Sequence, residues 1–235
     1  MFLLRRAVGL GLSMGLATAS ALAVPLPSSS SPHGTAIVTG GSRGIGAACS
    51  RALAGKGFSV VVVYRSGEAE ARDVVSSIVA GGGCAVAMQA DVGQEASVVS
   101  LFQEVDTWRG SSPLKVLVNN AGVLGPTGAE GGLQSVTTES LLKVLKVNTI
   151  GPALCIREAE QRMSTAGGAS IVQISSGSAY IGTPLQYACS KGALNSLTIG
   201  LVSSLAKQGI RRPQLIRTAH FPPIVWRPRS TCTHA

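Results

Sequence analysis

Tyr187 and Lys191 are the residues of this chain whose types and spacing could do chemistry together. They stand four apart in Tyr-Ala-Cys-Ser-Lys, at the start of a long apolar-periodic segment. On a helix that spacing sends the phenol and the ammonium out of the same face, one turn apart. A free tyrosine has a pKa of about 10, a poor match to proton exchange at neutral pH; a neighbouring ammonium favours the phenolate and improves the match. A half-exposed tyrosine beside a solvated lysine would show the same spacing. The pair carries weight only through what the rest of the chain brings to it.

Three other stretches supply that context. Residues 35–39 read as a short apolar strand, followed at once by Gly40-Gly-Ser-Arg-Gly-Ile-Gly46 and then by a segment of helix composition from Ala47. Glycines let a backbone turn tightly and approach a pyrophosphate, and a helix amino terminus offers free N–H groups and a positive dipole end. Asn119-Asn120-Ala121-Gly122 ends a strand that begins at Leu114, and Ser175-Ser176-Gly177-Ser178 ends one that begins at Ser170. Asn-Gly and Ser-rich stretches also serve as ordinary turns. Asn148 is a polar amide inside an apolar helical run from Thr138 to about Met163, where it costs free energy unless it is hydrogen-bonded.

The strand over residues 58–64 ends in Arg65-Ser66. At this place an NAD-binding fold carries an acid for the ribose 2′-hydroxyl, and an arginine accommodates a 2′-phosphate instead. No acid is present, and Arg43 inside the glycine turn brings a second guanidinium to the same end, so NADP(H) is expected. Asp91, after a third strand over residues 84–88, reads as a helix cap. Strands and helical segments alternate through five repeats. That pattern implies an α/β fold, a single-domain doubly wound parallel sheet of the Rossmann type with its ligand crevice at the carboxyl ends of the strands. The glycine turn, Asp91, the Asn-Asn-Ala-Gly turn and the serines all fall at such ends.

The Gly-x-x-x-Gly-x-Gly turn preceded by Thr39, the Asn119–Gly122 turn and Tyr-x-x-x-Lys together resemble the short-chain dehydrogenase/reductase family. The resemblance implies that Tyr187 is the general acid in carbonyl reduction, that Lys191 supports it, that Ser176 holds the substrate oxygen, and that Asn148 supports a water connecting Lys191 to solvent. Ser176 matches the family serine better than Ser175 or Ser178, although only ten residues separate it from Tyr187, fewer than is usual in the family. The cofactor-binding residues implied are Gly40, Ser42, Arg43, Gly44, Ile45, Gly46, Arg65, Asp91, Asn119, Asn120, Ala121 and Gly122, with Tyr187 and Lys191; Asp91 would lie near the adenine. No metal site is implied. The expected activity is an NADP(H)-dependent carbonyl or 3-oxoacyl-type reductase acting on a small carbonyl or alcohol. A nucleotide-sugar epimerase uses the same Tyr-Lys pair, but the short chain and the glycine spacing argue against it.

The resemblance is expected to stop at Ile210. Residues 211–235 have no strand or helix period and no acid, and are expected to form a non-family tail, out of frame or alternatively spliced relative to a longer parent. The fold would then lack the family's last two strands, leaving the fifth strand as a sheet edge. On that expectation a catalytically impaired, nucleotide-binding or inert product is the alternative to an enzyme, and the family's homo-oligomeric state is in doubt here. Residues 1–31 are expected to be a targeting segment: Arg5 and Arg6, an uncharged run from Ala7 to Val24, and Ala21-Leu22-Ala23 resemble a secretory signal or membrane anchor, with a mitochondrial presequence as the alternative. Membrane contact is expected only there, and the domain over residues 32–210.

Composition excludes other classes. The net charge of +9 sits at the two ends, leaving 13 basic and 11 acidic residues in 32–210, so no basic stripe points to nucleic acid. The five cysteines include no Cys-x-x-Cys and fit neither a disulfide framework nor a metal site; Cys49, Cys155 and Cys189 are expected to be small core residues.

Overall fold

The computed structural model describes residues 33–125, 133–163, 168–207 and 209–217. The elements run β1 (Thr35–Thr39), α1 (Gly44–Gly55), β2 (Ser59–Tyr64), α2 (Glu68–Ala80), β3 (Ala85–Gln89), α3 (Glu95–Arg109), β4 (Leu114–Asn119), α4 (Thr138–Leu145), a π-helical turn (Lys146–Ile150), α5 (Gly151–Glu160), β5 (Ala169–Ser175), α6 (Ser178–Ile181), α7 (Leu185–Lys207) and β6 (Ile210–Arg217). The strands form one parallel sheet in the order β3-β2-β1-β4-β5-β6. Every residue of β1 and β2 is buried, which a parallel sheet covered by helices on both faces requires and a run of valines and isoleucine suits. Alternation divides them between two cores. Ile37, Val61 and Val63 pack with Leu101, Phe102 and Val105 of α3 and Ile156 of α5. Val38, Val60 and Val62 pack on the other face with Ala71, Val74 and Ile78 of α2.

The helical run from Thr138 is not one regular helix. A capping box opens it, with Ser140 N–H on Thr137 Oγ1 at 3.1 Å and Thr137 N–H on Ser140 Oγ at 3.2 Å. After two turns it widens into the π turn, where Gly151 N–H reaches back five residues to Lys146 O. A Cβ on Gly151 would sit 2.8 Å from Val92 O, so the run passes very close to the β3–α3 turn. Asn148 lies in the middle of the π turn, a kind of irregularity that recurs at functional sites.

The end of the domain corrects the expectation of a five-stranded sheet. β6 is present and pairs in parallel with β5 from Ala169↔Ile210 to Ser175↔Arg217, so β5 is an interior strand and no non-strand tail begins at Arg211. The sequence concealed β6 because Pro213 breaks its pattern. The register shows how the proline is tolerated: Ser170 faces Arg211 and Val172 faces Gln214, so Arg212 and Pro213 occupy a one-residue bulge on an edge strand, where a missing N–H costs little. Among the described residues no seventh strand follows.

Of the three helical cysteines, Cys155 is fully buried, its thiol pushed up to about 12 by that burial, whereas Cys49 is half-buried and Cys189 is exposed rather than a core residue. Among the described residues no helix is long and apolar enough to cross a membrane, and no group of three or more His, Cys, Asp or Glu could hold a metal ion. The targeting segment over residues 1–31 and the chain beyond Arg217 lie outside the described residues.

Candidate active site

The glycine turn joins β1 to α1 beside the point where strand order reverses, between β1 and β4. Gly40 and Gly44 have φ of +62° and +53°, where a side chain is strained. Gly46 is fixed by space instead: a Cβ there would meet Gly40 O at 2.1 Å and Asn120 Nδ2 at 2.6 Å. Asn120 clamps the turn from β4, donating from Nδ2 to Thr39 O and Gly40 O, both at 3.0 Å. The Thr39 hydroxyl returns the tie, accepting Asn120 N–H at 3.0 Å and Ala121 N–H at 3.1 Å and donating to Val118 O at 3.3 Å. α1 then starts at an extended Arg43 with no side-chain cap and no acid in its first turn. Its free N–H groups and dipole form an anion site.

This turn opens on a cavity of about 240 Å³ lined by Gly40, Ser42, Arg43, Arg65, Asp91, Asn120, Ala121 and Gly122, eight of the expected cofactor residues, with Tyr64 beside them. Arg43 and Arg65 are exposed and have no ion-pair partner among the described residues. Asp91 shapes the β3–α3 turn, accepting Gly93 N–H at 2.9 Å while its own N–H donates to Ser97 Oγ at 3.0 Å; the N-cap position of α3 is Gln94, whose side chain makes no capping bond. Gly46 frames the turn, and Gly44 and Ile45 are exposed at the start of α1. Asn119 is placed elsewhere. Its Nδ2 donates to Pro152 O at 3.3 Å, so it tethers α5 to the sheet beneath the crevice and does not line the cavity. A cradle that admits no Cβ at Gly46, a helix terminus without an acid and two guanidinium groups without ion-pair partners among the described residues fit a dinucleotide with a 2′-phosphate, so NADP(H) is the cofactor these residues suit.

At the other end of the crevice, α7 carries Tyr187 and Lys191 on one face, with Lys191 Nζ 5.6 Å from the centroid of the Tyr187 ring. Lys191 is buried, at 3% exposure, and donates to Ile174 O at 2.7 Å. No carboxylate pairs with it among the described residues, and its remaining N–H groups have no partner there. Burial pulls its pKa down to about 8. An ammonium so enclosed is costly unless a ligand completes its hydrogen bonds. The Tyr187 side chain is half-buried, and its phenol makes no hydrogen bond among the described residues. Ser176 is buried beyond the end of β5; its hydroxyl donates to Ser178 Oγ at 3.2 Å and accepts Ser178 N–H at 3.2 Å. Ser175 is buried and donates to Asn195 Oδ1 of α7 at 2.6 Å.

Asn148 is held by three side-chain hydrogen bonds. Both hydrogens of its amide are committed, to Val123 O at 2.8 Å and Ser190 Oγ at 2.9 Å, and its Oδ1 accepts Val123 N–H at 2.8 Å. The side chain therefore splints the β4 loop against α7, and among the described residues no hydrogen bond joins it to Lys191. Ser190 passes the link on, donating to Tyr187 O at 2.7 Å, while Thr149 Oγ1 donates to Ser190 O at 3.0 Å. Sequence reasoning assigned no role to Thr39, Ser190, Thr149 or Asn195. The available signal was a polar residue within an apolar element, the signal that singles out Asn148.

A glycine turn that opens on a cavity at the strand reversal, and a Tyr-Lys pair with no carboxylate beside it among the described residues, are the features of a dinucleotide-dependent oxidoreductase. The family model described as short chain dehydrogenase matches residues 34–218, and the chain belongs to the short-chain dehydrogenase/reductase family. The match runs past Arg211 and includes β6. The uncharacterized oxidoreductase YgfF of Escherichia coli K12 is 42% identical over 193 residues, covering 78% of this chain and 76% of that protein. Among solved structures, the reductase LugOII, which catalyses keto-reduction at C1 during lugdunomycin biosynthesis, superposes with a TM-score of 0.72 at 35% identity, covering 78% of this chain and 76% of that one. A metagenomic short-chain oxidoreductase in complex with NADP superposes with a TM-score of 0.70 at 32% identity, covering 79% and 81%.

Proposed function

We propose that this protein reduces a carbonyl group to an alcohol with NADPH, and runs the reverse reaction with NADP⁺. The observation that carries the reading is the buried Lys191 ammonium beside the ring of Tyr187, without a counter-ion among the described residues. The bound nicotinamide would supply the hydride. The phenol of Tyr187, free of other hydrogen bonds among the described residues, donates its proton to the carbonyl oxygen, and the Lys191 charge stabilises the phenolate that remains. Ser176 donates to the same oxygen once it releases Ser178; the Ser175 hydroxyl is already committed to Asn195. Asn148 and Ser190 keep the first turns of α7 in place against the β4 loop. Arg43 and Arg65 hold the 2′-phosphate, and the amino terminus of α1 holds the pyrophosphate.

Purified protein should bind NADPH, read by fluorescence or thermal shift, and oxidise it only when a carbonyl compound is present. Binding without carbonyl-dependent oxidation across a panel of ketones and aldehydes would favour a second reading, a nucleotide-binding but catalytically impaired protein. The short spacing between Ser176 and Tyr187, with the Ser176 hydroxyl bound to Ser178, supports that reading. Residues 1–31 are proposed as a targeting segment; fused to a fluorescent reporter, they should move it out of the cytosol.

A further inference from the structure

We propose that Asn195 is a positioning residue that holds the strand end and short helix on either side of Ser176, an assignment whose catalytic part rests on the reductase reading above. Tyr187, Lys191 and Asn195 follow one another at four-residue intervals on α7, each displaced about 40° around the axis, so they form one stripe facing the end of β5. Lys191 takes the carbonyl of Ile174 at 2.7 Å, and Asn195 takes the hydroxyl of the next residue, Ser175, at 2.6 Å. The catalytic helix thus grips two consecutive residues of β5 immediately before Ser176.

The other end of the same amide crosses to the far side of Ser176. Asn195 Nδ2 donates to Tyr180 Oη at 3.2 Å, on α6. α6 has four residues, Ser178–Ile181, none of them buried, and Tyr180 and Ile181 are 51% and 55% exposed. A helix of one turn is not stable by itself, and this one buries little apolar surface to hold its place. Its first residue, Ser178, makes both hydrogen bonds of the Ser176 hydroxyl. One side chain therefore braces the backbone before Ser176 through Ser175 and the helix after it through Tyr180. If the brace is released, Ser176 loses its fixed direction relative to Tyr187 while the glycine turn and the arginines are untouched.

Hydrogen exchange of the full-length protein tests the brace whether or not the protein turns over. Asn195→Ala should raise exchange in residues 175–181 about tenfold and leave β1 to β4 protected; unchanged exchange there overturns the proposal. In the active enzyme Asn195→Ala should lower kcat for carbonyl reduction about tenfold or more with NADPH Kd within twofold, and Ser175→Ala should act the same way with no further loss in the double variant. Asn195→Asp, whose carboxylate accepts from both the Ser175 and the Tyr180 hydroxyl, should restore most of kcat. Raised exchange with unchanged kcat would overturn the positioning role and leave a purely structural tie. Should Asn195→Ala not fold, Tyr180→Phe removes the α6 arm alone and should raise exchange over residues 178–181; no rise sinks the brace. A wild-type protein that binds NADPH without reducing any carbonyl counts against the reductase reading, and the exchange data still decide the brace.

Discussion

The two ends of the crevice are built by different means. At the cofactor end, the backbone sets the shape: positive-φ glycines, a helix terminus and a turn clamped by Asn120 and Thr39, with the charged groups Arg43 and Arg65 left exposed. At the catalytic end, side chains set it, through polar groups that bond one element to another: Lys191 of α7 to Ile174 of β5, Asn148 of the π turn to Ser190 of α7, and Ser175 of β5 to Asn195 of α7. A backbone site fails when volume is added and is indifferent to pH. A side-chain site tolerates volume better and fails when one hydrogen bond or one proton is lost. That difference predicts which substitutions hurt each end, and by which readout.

The broadest effect, on folding and cofactor binding together, belongs to the backbone end. Gly46→Ala places a methyl group 2.1 Å from Gly40 O, where neither the turn nor α1 has room to move without breaking the Asn120 clamp. It should destabilise the protein by about 3 kcal/mol and abolish measurable NADPH binding, read by urea unfolding and fluorescence titration. Gly44→Ala has open space and only an unfavourable φ of +53°, so it should cost about 1 kcal/mol. Equal effects at the two glycines would mean that conformation rather than space sets this end. Next comes Tyr187→Phe, which removes one oxygen and no volume. It should lower turnover about 10³-fold, roughly 4 kcal/mol in the barrier, with NADPH affinity and thermal stability unchanged.

How much of this was legible in the sequence follows the same division. A glycine turn between a strand and a helix states its purpose locally, because turn, strand and helix are contiguous; Gly40 to Gly46 could be read at once, and eight expected residues line the cavity. Asn119 was misassigned because adjacent strand residues point to opposite faces, and a tetrapeptide does not say which asparagine faces the crevice. Asn148 was legible as a buried polar group but not as to its partner, since Val123 and Ser190 are 25 and 42 residues away. Asn195 was silent for the same reason. β6 was hidden by Pro213, which only the register of an edge strand explains.

The proton sensitivity of the catalytic end gives the next prediction. In the unfolded chain Lys191 keeps its proton up to about 10.5, and in the folded chain it gives it up at about 8, because burial penalises the charge. Between those values the unfolded state holds more protons, so stability rises with pH across the window, by about 3 kcal/mol in total at this residue, and is flat below it, where both states are charged. Lys191→Met lacks the step. Subtracting its urea-unfolding free energies from those of the wild type at pH 7 to 10.5 isolates the contribution of Lys191, and a flat difference would show that Lys191 is better solvated than its burial implies. Carbonyl reduction, which needs the ammonium, should fall as pH rises through the same value near 8.

The smallest effect tests the assignment of charge at the cofactor end. Arg43 and Arg65 line the cavity without ion-pair partners among the described residues, so removing either leaves no orphaned carboxylate and should not alter folding. Each can lose only what it gives the 2′-phosphate, a charge-assisted contact worth about 2 kcal/mol. Arg43→Ala and Arg65→Ala should each raise the Kd for NADPH about 30-fold and leave that for NADH within about threefold, by titration at fixed ionic strength. Raising the salt concentration should weaken NADPH binding to the wild type more than to either variant, because exposed charges are screened. If both variants weaken NADH as much as NADPH, the guanidinium groups hold the pyrophosphate, and the preference for NADP(H) must then come from the amino terminus of α2, where Ser66 and Gly67 line the same cavity.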